Sequence, residues 1–169
     1  MGKVIRSKKV VSIPESSFES SKGRNYIGLT PLLTFGRKTF AWARLFNPAN
    51  SKVCLFLDFF NLTNLSTSPF TANGFANATP PGQPHPIQTG NLKLDTTRPA
   101  KGKFQFNSSV TQFPRGGLNI IDRQVPSNQS VTSGQISGKV IITPGTSYLF
   151  FLSSPQKVTA RIGFEWWEK

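Results

Sequence analysis

Apolar residues alternate with a period of two between closely spaced turn residues, and this pattern restricts the fold more than any other feature of the chain. In "TFAWARLF", residues 39–46, one face of an extended segment carries Phe40, Trp42, Arg44 and Phe46. Fourteen glycines and thirteen prolines separate such segments from one another. No segment combines a 3.6-residue apolar period with a helix cap. The sequence therefore predicts many short strands and no helix.

The strand segments are numerous enough to predict the fold class. After 39–46, the candidates are 52–62, 69–77, 91–95, 103–113, 118–125, 135–142, 147–152 and 157–167. Turn sequences such as "TPPGQPHP", "PRGG" and "TPGT" separate them. Eight to nine short strands in a chain that fits one domain predict an all-β protein, a single β-sandwich of the jelly-roll type.

The segment "KVCLFLDFFNL", residues 52–62, predicts a central strand, because both of its faces are apolar. Its two alternating sets are Val53, Leu55, Leu57 and Phe59 against Cys54, Phe56, Asp58 and Phe60. We expect Asp58 to pair with Arg44 across a hairpin of neighbouring strands. Cys54 is the one cysteine, so it cannot form an intrachain disulfide, and a buried thiol is expected.

The last segment places two adjacent tryptophans on opposite faces. Period-two alternation predicts a core-facing set of Val158, Ala160, Ile162, Phe164 and Trp166. Trp167 then shares the other face with Arg161 and Glu165. Two interpretations stay open for Trp167: partial burial under a loop, or contact with a neighbouring molecule, as tryptophan is enriched in interface hot spots. Trp167 and Arg161 are therefore possible interface residues.

The N-terminus alternates basic and β-branched residues and is predicted to be an extended assembly arm, residues 1–13. The arm residues expected to make contacts are Val4, Ile5, Arg6, Lys8, Val10, Val11 and Ile13. Residues 14–24, "PESSFESSKGR", predict a flexible polar connector, and residues 25–169 the β-sandwich domain. No apolar run of seven or more residues follows the charged start, so no classical secretory signal is expected.

The formal net charge of +13 favours polyanionic partners. The basic residues are dispersed and lie mostly beside turns, whereas a nucleic-acid face usually concentrates them. We therefore expect no specific nucleic-acid partner, while an anionic surface or a glycan remains a possible one. No run approaches the length of a membrane span.

No pattern of catalytic or metal-ligating residues emerges from the sequence. His85 is the sole histidine and lies in a proline-rich loop, and the seven acidic residues are well separated. Metal sites need several ligands at suitable spacing, and a nucleophile needs a neighbouring base. The sequence therefore predicts no enzyme, no cofactor and no metal site, and it assigns no role to His85 or Asp58.

Several stretches resemble an uncharacterised family of small all-β proteins from spore-forming Firmicutes. They are "ARLFNPANSKVCLFLDFFNLTN", "PFTANGFANATPPGQP", "GGLNIIDRQVPSNQS", "IITPGTSYLFFLSSP" and "ARIGFEWWEK", and the resemblance covers roughly residues 25–169. A looser, architectural similarity links the chain to jelly-roll subunits of bacterial endospore appendages, whose N-terminal arm reaches into a neighbouring subunit. That similarity implies a spore-surface or extracellular location after release from the cytoplasm. The arm contains no cysteine, so any docking would rest on strand pairing and apolar contacts.

The leading functional hypothesis is a structural protein that polymerises into a filament or surface layer by donating its arm to the next subunit. Two alternatives stay open. One is a carbohydrate-binding β-sandwich that uses exposed aromatic residues and asparagine-rich loops. The other is a viral-type coat protein whose basic arm neutralises packaged nucleic acid.

Overall fold

The structure, a computed structural model, describes residues 12–133, 136 and 138–169. These residues form one helix, α1 (Glu15–Ser21), and thirteen strands. The strands are β1 (Asn25–Leu29), β2 (Leu33–Phe35), β3 (Phe40–Phe46), β4 (Leu55–Asn64), β5 (Phe70–Ala76), β6 (His85–Pro86), β7 (Thr89–Asn91), β8 (Lys103–Val110), β9 (Leu118–Val125), β10 (Ser130–Thr132), β11 (Val140–Ile142), β12 (Ser147–Ser153) and β13 (Val158–Glu168).

Two antiparallel sheets pack face to face. The first sheet has the order β10-β4-β13-β1-β7, with β11 also beside β4 and β2 also beside β13. The second sheet has the order β6-β8-β3-β12-β5-β9. Early strands pair with late ones in nested fashion: β1 with β13, β3 with β12, β4 with β10 and β5 with β9. This nested pairing across two sheets is the jelly-roll topology, so the predicted β-sandwich is confirmed.

Aromatic side chains from both sheets fill the space between them. Phe60 of the first sheet meets Phe150 of the second edge to face, with centroids 4.7 Å apart. Phe164 and Phe104 form a similar pair at 5.1 Å. The predicted core-facing set of the last strand is confirmed, since its five members are all fully buried: Val158, Ala160, Ile162, Phe164 and Trp166.

A smaller apolar cluster covers the outer side of the second sheet. Its buried members are Trp42, Ala78, Val110, Leu149 and Phe151. The indole Nε1 of Trp42 donates a hydrogen bond of 2.7 Å to the carbonyl oxygen of Pro81, which lies in the loop after β5. The second sheet is therefore apolar on both faces, which explains why β3 and β12 lack a clean polar alternation.

The alternation predicted for β4 is wrong after Asp58. Phe60, not Phe59, shares the buried face with Leu55 and Leu57, to which the sequence pattern had assigned Phe59. Across the sheet, Phe59 is opposite Glu165 and Leu57 is opposite Trp166, which leaves Asp58 as the extra residue of a β-bulge. A bulge shifts the later side chains to the other face, so Phe60 joins Leu57 in the core.

The expected pairing of Arg44 with Asp58 is also wrong. β3 and β4 are consecutive in the chain but belong to different sheets, so they do not form a hairpin. The Nη2 of Arg44 instead donates a 2.6 Å hydrogen bond to Oε1 of Gln105 on β8. The guanidinium also lies over the ring of Phe46, 4.9 Å from its centroid.

Residues 14–24, which the sequence predicts to be a flexible polar connector, contain the helix α1. The amide of Phe18 donates to the carbonyl of Pro14, and the buried carboxylate of Glu19 pairs with Arg24. Lys169, at the end of the chain, pairs with Glu15 at 2.9 Å. These contacts hold the helix beside β1 and β13. An analysis of period-two alternation does not detect them, because they join residues outside the alternating segments.

The bounds of several strands differ from the bounds that the sequence predicts. The segment 118–125 is a strand throughout, as predicted. The segment 91–95 contributes only its first residue to a strand, β7. The sequence also missed four strands, β1, β2, β6 and β10, because five residues or fewer are too short for a period to be recognised.

Candidate functional site

β9 is an edge strand of eight residues at the end of the second sheet. It pairs with β5 on one side, and no other strand of the described residues pairs with it on the other. Two apolar side chains near its start are exposed: Leu118 at 66% and Ile120 at 44%. Each unpaired edge presents a row of free backbone N–H and C=O groups, so β9 is suited to accept a further strand.

Contacts on both sides of the sheet hold β9 in place. On the core side, Val125 is fully buried and Ile121 packs against the main core. On the outer side, the Asp122 carboxylate accepts hydrogen bonds from the amide groups of Asn73 and Asn119. The hydrogen bonds from Asn119 and then Asn73 lower the pKa of Asp122. Contacts within the chain itself therefore hold the edge strand β9 in place.

The other sheet edges are short within the described part of the chain. β6 has two residues, and β7, β10 and β11 have three each. An added strand needs several consecutive hydrogen bonds to be stable, since a short pairing does not offset the entropy of ordering it. β9 is therefore the longest open edge among residues 12–133, 136 and 138–169.

Most of the predicted arm lies outside the described residues. This applies to Val4, Ile5, Arg6, Lys8, Val10 and Val11. Ile13 is described and is exposed just before α1. Because α1 contacts β1 and β13 of the first sheet, Ile13, two residues before the helix, lies on the side of that sheet, whereas β9 ends the second sheet. Ile13 and the open edge thus belong to different parts of the molecule.

Trp167, one of the two possible interface residues, is 4% exposed. Its indole stacks on Phe56, with centroids 5.4 Å apart. Gly138, just before β11, lies against the indole so closely that a side chain at this position would clash with it. Burial under a loop thus describes Trp167 in this chain. Arg161 is half-buried on the same outer face, opposite Thr63.

Two carboxylates lie near each other on the outer face of the first sheet. Glu165 accepts a 3.0 Å hydrogen bond from Nδ2 of Asn25. Burial raises the pKa of Glu165, and the negative charge of Asp58 raises it further, while the Asn25 hydrogen bond opposes them. The Glu165 carboxyl, with its raised pKa, therefore keeps its proton to a higher pH than an ordinary glutamate does.

The remaining chemically distinctive residues lie apart from one another. His85 is exposed on β6, with its ring 5.6 Å from that of Phe106. Cys54 is partly buried, and its backbone exchanges two hydrogen bonds with Lys169. Among the described residues, no three His, Cys, Asp or Glu side chains come together as metal ligands would. No helix in that part of the chain has the length and hydropathy of a membrane span.

Sequence reasoning located β9 but did not single out Leu118 and Ile120. The segment "LNIIDRQV" has four apolar residues, Leu118, Ile120, Ile121 and Val125. Its local pattern does not distinguish the exposed Leu118 and Ile120 from the other two. The exposure of Leu118 and Ile120 depends on which strand lies at the edge of the sheet, and the local sequence pattern does not determine the order of the strands.

The chain belongs to a family of unknown function, DUF6143, whose model matches residues 1–169. No curated protein matches the chain significantly, and no solved structure does.

Proposed function

We propose that this DUF6143 protein is a structural subunit that polymerises with copies of itself. Each subunit donates its arm, residues 1–13, as an added strand along β9 of the next subunit. The observation that carries the proposal is the eight-residue open edge of β9 with exposed Leu118 and Ile120. Strand addition gives affinity through backbone hydrogen bonds and specificity through alternate side chains.

The dimensions of the two partners agree. An eight-residue strand is about 26 Å long at about 3.3 Å per residue. Thirteen extended residues span up to roughly 43 Å at the same rise. The arm is therefore long enough to run along β9, which has a register shift at Ile120, and still leave a few residues as a link. The arm has two pairs of adjacent apolar residues, Val4-Ile5 and Val10-Val11. Because neighbouring side chains of a strand point to opposite faces, each face of the added strand would carry apolar side chains.

Apolar contact and backbone pairing, more than charge, would drive this docking. β9 carries one acidic and one basic residue, Asp122 and Arg123, so its own charges cancel. The basic residues of the arm would then keep the free arm soluble and disfavour pairing of arm with arm, since like charges oppose each other in adjacent strands.

The position of the two surfaces favours an open assembly. Ile13, the last residue of the arm, lies on the side of the first sheet and the acceptor edge ends the second, so the contact is head to tail. Such heterologous contacts produce filaments or rings instead of closed two-fold dimers. We place the polymer in a filament or surface layer at the spore surface, reached after release from the cytoplasm, as the resemblance to spore-former proteins implies.

Deletion of residues 1–13 tests the proposal. The truncated chain keeps Pro14, the helix and all thirteen strands, so we expect a folded β domain with a cooperative melt. Negative-stain microscopy and sedimentation should show ordered polymers for the full chain and monomers for the truncated one. If the truncated chain forms the same polymer, the proposal is wrong.

Two full-length variants separate strand addition from charge attraction. One replaces Val4, Ile5, Val10 and Val11 with serine, and the other replaces Lys3, Arg6, Lys8 and Lys9 with glutamine. We expect the serine variant to lose assembly and the glutamine variant to retain it. The reverse result would show that the arm acts through its charge and would refute docking by apolar contact.

A further inference from the structure

A cleft of about 570 Å³ lies on the side of the sandwich where the chain crosses from one sheet to the other. The crossing runs from β6, beside β8 in the second sheet, to β7, beside β1 in the first. Residues 96–105 then return along the opposite wall to β8. The cleft is therefore bounded by β7 on one side and by the loop 92–102 and the start of β8 on the other.

Buried groups hold the loop 92–102 in one conformation. The carboxylate of Glu168, 2% exposed, accepts hydrogen bonds of 2.8 Å from the backbone amides of Lys101 and Gly102. The hydroxyl of Tyr26 donates to the carbonyl of Pro99, and the amide group of Asn91 donates to that of Arg98. The loop thus presents its side chains from a fixed backbone, which lowers the entropic cost of binding.

Three cations of this loop and of β8 do not belong to the ion pairs that the structure shows among its described residues. Arg98, Lys101 and Lys103 are exposed. All seven acidic residues of the chain are described, and the ion pairs among described residues are Arg24–Glu19, Lys93–Asp95 and Lys169–Glu15. Asp95, the one acid in the loop 92–102, pairs with Lys93, and the Glu168 carboxylate accepts hydrogen bonds from backbone amides, so the structure shows neither in an ion pair with these three cations.

A second cleft of about 340 Å³ adjoins the first. The two share Pro99, Ala100 and Lys103, and the second adds Lys101 to its lining. Arg98 lines the first cleft, Lys101 lines the second and Lys103 lines both, so the three cations are distributed over two adjoining clefts. This arrangement suits a chain of linked anionic units better than a single compact ion.

The residues that line the first cleft indicate which class of polyanion would fit it. Phe104 is its one aromatic lining residue, and at 2% exposure it offers no stacking surface. Nucleobases and neutral sugars usually bind proteins by stacking on exposed aromatic rings. The lining instead supplies hydroxyl and amide groups, among them Thr89, Thr97 and Gln88, which can hydrogen bond to sugar hydroxyls.

From the exposed cations, the fixed loop and the polar, non-aromatic lining, we propose that these two clefts bind an anionic saccharide. Its carboxylate or sulfate groups would contact Arg98, Lys101 and Lys103, and its hydroxyls would face the threonine and glutamine side chains. The described residues that line the two clefts do not belong to β9, so substitutions in the clefts leave the proposed strand acceptor unchanged.

Calorimetry of the full-length protein with a sulfated hexasaccharide tests the proposal. The cleft variant Arg98→Gln/Lys103→Gln should bind about tenfold more weakly or worse, because each lost charged hydrogen bond costs more than a neutral one. The control variant Lys139→Gln/Lys157→Gln removes the same charge from exposed positions outside both clefts. We expect the control to stay within about threefold of the parent, with equal melting temperatures for all three proteins.

Two further probes define the ligand class. A neutral glucose hexasaccharide should not bind measurably, and a single-stranded oligonucleotide of equal charge should bind more weakly than the sulfated saccharide. Equal weakening by the cleft and control variants, or no binding of the sulfated probe, would overturn the proposal. Tight oligonucleotide binding lost in the cleft variant would assign the site to nucleic acid instead.

Discussion

The indole of Trp167 lies flat on the ring of Phe56, with the two centroids 5.4 Å apart and the ring planes 5° from parallel. Phe56 belongs to β4 and Trp167 to β13, and the two residues are directly opposite each other in the sheet. Gly138 lies against the Trp167 indole, so the stacked rings form a small covered apolar layer on the outer face of the first sheet. Trp167 therefore contributes to the stability of the single chain.

The two adjacent tryptophans are expected to respond alike to truncation. Trp166→Ala should lower the free energy of unfolding by about 3–5 kcal/mol, because it empties the core. Trp167→Ala should lower it by about 2–4 kcal/mol, because the covering loop can collapse partly into the space. Denaturant unfolding measures both, with Leu94→Ala at an exposed position as control. A loss below about 0.5 kcal/mol for Trp167→Ala would contradict the packing seen here.

Charges on the open edge should block assembly without unfolding the subunit. The double variant Leu118→Lys/Ile120→Lys places two cations on β9, where they would repel the basic arm and oppose strand pairing. We expect monomers by sedimentation and a melting temperature close to that of the parent. Leu94→Lys, exposed in the loop after β7, is the matched control and should polymerise normally. Normal polymers from the double variant would exclude β9 as the acceptor.

The buried carboxylate of Glu168 is expected to be a structural support of the loop 92–102. Glu168→Ala leaves the backbone amides of Lys101 and Gly102 and the Trp166 indole N–H without their acceptor. A loss of about 2–4 kcal/mol in the free energy of unfolding follows from these three unsatisfied donors. Amide hydrogen exchange at Lys101 and Gly102 should also accelerate.

Glu15→Ala provides the comparison, because it removes an exposed ion pair with Lys169. It should change the free energy of unfolding by less than about 1 kcal/mol. Equal effects of the two substitutions would mean that Glu168 does not organise the loop.

Glu165 should make the stability of the domain fall as the pH rises through its titration range. Burial raises its folded-state pKa above the unfolded value, with a smaller contribution from Asp58. Between those two pKa values the folded chain holds more protons than the unfolded chain, so the free energy of unfolding decreases with increasing pH. Above the folded pKa this penalty is complete, and below the unfolded pKa it is absent.

Glu165→Gln removes the pH dependence that Glu165 contributes. To measure this contribution, the free energy of unfolding of parent and variant is determined at a series of pH values, and the difference between the two is plotted against pH. Asp122 titrates in the opposite sense, since its pKa is lowered, but it is present in both proteins and cancels in the difference. A difference that does not change with pH would refute the raised pKa of Glu165.

The sequence by itself determined the properties that depend on local backbone geometry. Side chains of an extended chain alternate between two faces whatever the rest of the molecule does. Alternation therefore identified the all-β class, the bounds of β9 and the buried set from Val158 to Trp166. It also recognised the segments around Leu55 and Leu57 as a strand apolar on both sides.

Only the tertiary structure decided what depends on partners distant in the chain. The bulge at Asp58 arises where β4 meets β13, about a hundred residues later, and it moves Phe60 into the core. Placement of β3 and β4 in different sheets separates Arg44 from Asp58, and the order of strands leaves Leu118 at an open edge. A local period carries no information on which strand lies beside which, because that choice minimises exposed surface over the whole chain.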